Sequence, residues 1–153
     1  MRNPPSLSAE LDRMIRRLGH SSAHIALLNV SAAGRPKTAL LIAARAVANR
    51  SHVIGLLADG SVGIVSISGF SGDDESLEDQ FVPRLRTILQ VQGEELSYEP
   101  TTLTYRSVAR PACELRDADD LMQILSDQPL RSVPSKRSAF PIYSVTPPSE
   151  ARL

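Results

Sequence analysis

Apolar residues along this chain follow two rhythms, and the switching between them outlines the fold. Leu11, Met14, Ile15 and Leu18 recur at the spacing of one helical face, with Ser8 as the expected N-cap, Glu10 and Asp12 in the first turn and Gly19 as the stop. Ile25 to Val30 is a short, nearly continuous apolar run and reads as a buried strand. After a loop at Ser31 to Pro36, a helix is expected from Thr38 to Asn49, because Leu40, Leu41, Ala44, Val47 and Ala48 give it a wide apolar face. The least charged stretch follows, Val53 to Ile67, in which two strand-like runs flank Asp59-Gly60. That dipeptide suits a two-residue type I′ turn, which needs positive φ at both central positions. Runs so free of charge predict a hairpin at the centre of a sheet, buried on both faces.

Ser68 to Ser76 is a polar connection whose Asp73-Asp74-Glu75 reads as a solvated loop, since it lacks the ligand spacing of a calcium loop. A helix is expected from Glu78 to Gln90, carrying Phe81, Leu85, Ile88 and Leu89 on one face and Pro83 in or near its first turn. Gly93-Glu94-Glu95 breaks the pattern. A strand from Thr101 to Ala109 ends at Pro111, and Asp117 caps a helix through about Asp127. Ser132 to Ser138 reads as a linker and Phe140 to Val145 as a last strand, at an edge because of Pro141. The order predicts an α/β sandwich: a mixed central sheet of about five strands, helices on its faces and a βαββαβ core. By this reading residues 1–22 form an N-terminal helix and 23–128 the domain. Residues 129–146 are a linker with a possible edge strand, and 147–153 a disordered tail.

Composition narrows the function classes. A chain of 153 residues suits one domain. Its 17 basic residues balance its 17 acidic ones, which argues against a general electrostatic grip on nucleic acid or an anionic membrane. Arg13, Arg16 and Arg17 read as a solvated helix face. The single cysteine, Cys113, cannot form an intramolecular disulfide or a Cys-rich metal site, and is expected as a buried structural thiol in a reducing compartment. Met1 to Pro5 lacks the apolar core of a signal peptide and no run approaches membrane-spanning length, so the expected location is the cytoplasm. No motif places a serine beside His20, His24 or His52, which read as polar residues near strand ends. Ser68-Gly69-Phe70-Ser71-Gly72 has neither Walker nor dinucleotide spacing.

From Ile25 to Asp127 the chain resembles a GGDEF domain, the fold of diguanylate cyclases. The resemblance rests on five elements in order: Leu27-Leu28-Asn29-Val30-Ser31, the Thr38 helix, Ile54 to Val62, the Glu78 helix, and Thr102 to Ala109 followed by Asp117-Ala118-Asp119-Asp120-Leu121. It implies a nucleotidyl cyclase-like core. It also puts Ala58, Asp59, Gly60, Ser61 and Val62 at the G-G-D/E-E-F signature, so that Gly60 and Ser61 stand at its two acidic positions and Asn29 at the first-strand aspartate. Family members use those carboxylates to hold the divalent ions that bridge GTP phosphates. Magnesium binds hard anionic oxygens, and a neutral amide and a side-chain-free glycine do not supply them. The resemblance therefore implies a catalytically inactive domain with no metal or other cofactor.

Arg50-Ser51-His52-Val53 stands where the family has R-x-x-D, keeping the arginine of the product-inhibition site and losing the aspartate. Arg50 also reads as a helix C-terminal cation. With Arg35 and Lys37 in the preceding loop, it is the expected source of any nucleotide contact. The leading expectation is a regulatory module in bacterial signalling that binds a protein partner or forms a homodimer. The alternatives are a receptor that binds GTP or cyclic di-GMP weakly without catalysis, and an enzyme of unrelated chemistry on the same fold.

Overall fold

The computed structural model describes residues 6–57, 59–68 and 76–134. In chain order the elements are α1 (Leu7–Leu18), β1 (His24–Ala32), α2 (Lys37–Val47), β2 (His52–Leu56), β3 (Val62–Ser68), α3 (Leu77–Leu96) and β4 (Thr102–Pro111). A 3-10 turn at Ala112–Glu114 then leads to α4 (Ala118–Ser126) and β5 (Arg131–Pro134). The strands form one five-stranded sheet in the order β2-β3-β1-β4-β5. The expected α/β class holds, with five strands and helices packed against the sheet.

The sheet is not mixed: every pairing in it is antiparallel. The reason lies in the crossovers. The connection through α2 carries the chain from β1 to β2 with β3 between them, and α3 carries it from β3 to β4 with β1 between them. Strands that run parallel are thus never neighbours. The hairpin is also displaced from the expected centre, because β3 is interior but β2 is an edge strand and β1 holds the middle.

Two cores follow from the period-2 alternation of β1. Ile25 and Leu27, with Val65 and Val108, pack under Leu11 and Ile15 of α1 and Leu121 and Leu125 of α4. Leu28 and Val30, with Ile64 and Leu103, pack under Ala43 and Ala44 of α2 and Phe81, Leu85 and Leu89 of α3. Each large side chain buried in this way contributes about 1.5–3 kcal/mol. Burial on both faces is what makes β1 and β3 read as continuous apolar runs.

Several boundaries differ from the sequence reading for identifiable reasons. The cap of α1 is Ser6, whose hydroxyl accepts from Ala9 N at 3.1 Å, not Ser8, because buried Leu7 draws the helix start back. Asp12 accepts from Ala118 N at 2.6 Å while Asp117 caps Asp120 N at 2.9 Å, so α1 is fastened to the start of α4. Helix α3 continues through Gly93-Glu94-Glu95 to Leu96 and stops at Ser97, which is left-handed at φ 58°. Pro83 lies inside α3 rather than near its first turn, on the exposed side, where a carbonyl left without an intrahelical donor meets water. Arg131–Pro134, expected within a linker, pairs with β4 as β5. Glu78 holds it there, accepting from Arg131 Nη1 at 2.8 Å and from the Ser107 hydroxyl at 2.8 Å. Cys113 is exposed rather than buried, since neighbouring Ala112 takes the buried place. Asp73 to Glu75, the strand expected at Phe140 to Val145 and the tail lie outside the described residues. Among the described residues no helix is long and apolar enough to cross a membrane.

Candidate functional site

The polar cluster at the end of the β2–β3 hairpin is built by its own turn. Leu57 N donates to Ser61 O at 2.8 Å, and Gly60 N donates back to Leu57 O at 2.9 Å. Gly60 is left-handed at φ +86°, whereas Asp59 is not, so a two-residue type I′ turn is not what forms. A longer loop ending in a left-handed glycine replaces it, the other common way to close a hairpin. Asp59 then curls over its own backbone. Its Oδ1 accepts from Ser61 N at 2.9 Å and from the Ser61 hydroxyl at 2.5 Å.

Asn29 completes a chain of hydrogen bonds. Its Nδ2 donates to Ser61 Oγ at 2.5 Å and, more weakly, to Val62 O at 3.4 Å. The order is amide to hydroxyl to carboxylate, and each group is used by the next. The hydrogen bonds from the Ser61 hydroxyl and from its backbone hold the Asp59 carboxyl below the usual aspartate range, with a smaller contribution from the Lys37 charge. Lys37 opens α2 and lies so close to Gly60 that a Cβ there would meet its ammonium. Asn29, Asp59, Gly60, Ser61 and Lys37 therefore do converge. Val62 is buried in the core beneath them, and Ala58 lies outside the described residues.

The other two candidate cations are elsewhere. Arg35 donates to Leu89 O at 2.9 Å and Glu99 O at 3.3 Å, with its guanidinium 5.1 Å from the centre of the Tyr98 ring. It ties the loop after β1 to the end of α3 and is turned away from the hairpin. Arg50 precedes β2, at the opposite end of the strand from Asp59. It lines a groove with Arg45, Ala48, Asn49, His52 and Ile54. His52 Nδ1 accepts from Asn49 N at 3.1 Å, and its ring meets Phe81 edge to face at 5.6 Å. Burial lowers its pKa.

Sequence reasoning missed a further part of the site. Gly55 and Gly63 face one another across β2 and β3, and Asn29 is the next residue in that row on β1. Over these glycines sits Leu7 of α1, which a Cβ on Gly63 would approach to 2.5 Å and one on Gly55 to 3.2 Å. The space that two missing side chains open beside Asn29 is thus filled from the N-terminal helix. Glycine inside a strand is itself the signal of such an approach.

Among the described residues no group of three or more His, Cys, Asp or Glu side chains is placed to hold a metal ion. The donor set at the turn is one carboxylate, one amide and one hydroxyl, bonded to each other. It suits a closed structural turn better than a divalent cation, which requires several anionic oxygens turned outwards. No protein-family model, curated protein or solved structure matches the chain.

Proposed function

We propose that the chain is a catalytically inactive GGDEF-like domain that acts as an interaction module in a bacterial, cytoplasmic signalling pathway. The observation that carries this reading is the Asn29–Ser61–Asp59 chain. The resemblance assigns these positions to metal-binding carboxylates and their neighbours, and here Asn29 Nδ2, the Ser61 hydroxyl and Asp59 Oδ1 bond one another. The strand order and the helices on both faces are compatible with a cyclase-like core. A two-metal phosphoryl transfer needs charge neutralisation on both the attacking and the leaving oxygen, and a turn with one carboxylate lacks the anionic ligands that two metals need.

A nucleotide receptor has less support. Charge-assisted contacts to phosphate contribute about 1.5–3 kcal/mol each, so several must converge to hold a flexible nucleotide. Arg35 is engaged with α3, Lys37 lies against Gly60 beside Asp59, and Arg50 is at the far end of β2. Incubating the purified chain with GTP and Mg²⁺ or Mn²⁺ tests the proposal. No cyclic di-GMP above background is expected. Turnover that disappears in Asp59→Ala would refute it, because the carboxylate would then be serving a metal.

A further inference from the structure

The edge strand β2 leaves a row of backbone groups unpaired. Because Leu57 N bonds Ser61 O, counting back by two turns the groups of Gly55 and Val53 towards β3 and those of His52, Ile54 and Leu56 outwards. The His52 N–H is recovered by Asn49 O at 3.1 Å. The N–H and C=O of Ile54 and Leu56, and the C=O of His52, have no such partner among the described residues. Natural edges are commonly guarded by proline, an inward-pointing charge or a bulge, and His52–Leu56 carries none of these. Leu56 is 43% exposed on it.

Beside this edge runs the groove lined by Arg45, Ala48, Asn49, Arg50, His52 and Ile54. Both arginines are exposed, and neither takes part in an ion pair among the described residues. A strand that paired with Ile54 and Leu56 would carry alternate side chains along that groove.

We propose that the outer edge of β2 docks an extended acidic segment of a partner protein, which adds a strand to the sheet and sets its carboxylates against Arg45 and Arg50. The free backbone groups call for a peptide rather than a nucleic acid, and the unpaired cations select acidic side chains. A second copy fits less well. Antiparallel self-pairing about Ile54 would set Arg50 of each copy opposite the other copy's hairpin turn, where the carboxylate of Asp59 is already bonded to Ser61 with Lys37 nearby. This inference names the partner for the non-catalytic reading above, and its failure would leave that reading to be judged by the separate GTP assay.

The test uses the full chain and a fluorescent ten-residue peptide of alternating Glu and Val, with a Lys-Val peptide as control. Fluorescence anisotropy should show binding of the acidic peptide alone, weakened by salt. Amide hydrogen exchange should show new protection at Ile54 and Leu56. Arg45→Ala with Arg50→Ala should weaken binding about tenfold, as expected for losing two exposed charge-assisted contacts. Methylating alternate backbone nitrogens of the peptide, or Leu56→Pro in the protein, should abolish binding, and the methylated peptide serves even if the proline variant does not fold. Equal binding of both peptides, no binding of either, or binding without protection at Ile54 and Leu56 would overturn the proposal. So would protection at these amides that rises with protein concentration in the absence of peptide, since the occupant would then be a second copy.

Discussion

Asp59 is held by its neighbours, and that bonding decides what the turn can do. Its carboxylate accepts twice from Ser61, so its pKa is lowered chiefly by those hydrogen bonds. Ser61→Ala should therefore move the Asp59 titration upward towards its ordinary value of 3.8, as read by carboxyl ¹³C shifts against pH. His52 is also lowered, by burial. Both groups bind protons more weakly in the folded chain than in the unfolded one, so stability rises with pH across each window. The His52 contribution is present above its ordinary value of 6.5 and is lost as pH falls below it; that of Asp59 is lost below 3.8. Thermal unfolding followed by circular dichroism should show a decline beginning near the upper value, and His52→Gln should remove that upper part. At Gly60 the backbone sets the cost. Gly60→Ala should destabilise by about 1–2 kcal/mol in urea, because φ +86° strains an L side chain even after Lys37 moves aside. The resemblance marked Asn29, Gly60 and Ser61 as positions where the family carries acids, with Asp59 beside them. It did not disclose their mutual bonding, which depends on register across β1 and β3.

At the scale of elements, the contact between α1 and the hairpin is the least expected and the easiest to probe. Leu7 is buried over Gly55 and Gly63, two glycines that ordinarily weaken strands. Gly63→Ala should cost about 1–3 kcal/mol by overpacking, and Leu7→Ala about 2–5 kcal/mol by leaving a cavity. Because the new methyl occupies part of the space Leu7 vacates, the double variant should lose less than the sum, a coupling that a urea-denaturation cycle measures directly. Apolar periodicity revealed α1, but where it docks depends on which strand residues lack side chains. Arg131–Pro134 escaped notice for the opposite reason, since four residues hold too little alternation and their attachment comes from Glu78 across the chain. Gly93 failed to end α3 because Leu89 and the Arg35 bond to its carbonyl hold the helix to the core close by.

For the whole molecule, the sheet order explains both what was legible and what was not. Alternating helices and strands gave an α/β class with five strands, but adjacency is a long-range property, and the hairpin that looks central by hydropathy places β2 at an edge. Helices α1 and α2 pack against its two faces, which leaves its outer backbone edge and Leu56 open. The same placement separates two regions: a hydrogen-bonded polar turn at one end of β2, and an open edge beside Arg45 and Arg50, which have no ion pair among the described residues. The first is read as the place of a lost metal chemistry. Titrating the ¹⁵N-labelled chain with Mn²⁺ in the presence of GTP, and following paramagnetic broadening residue by residue, tests that reading most directly. No selective broadening is expected at Asn29, Gly60, Ser61 or Val62. Selective, saturable broadening at those residues that Asp59→Asn removes would mean that the turn opens to hold a metal, and would contradict the inactive reading.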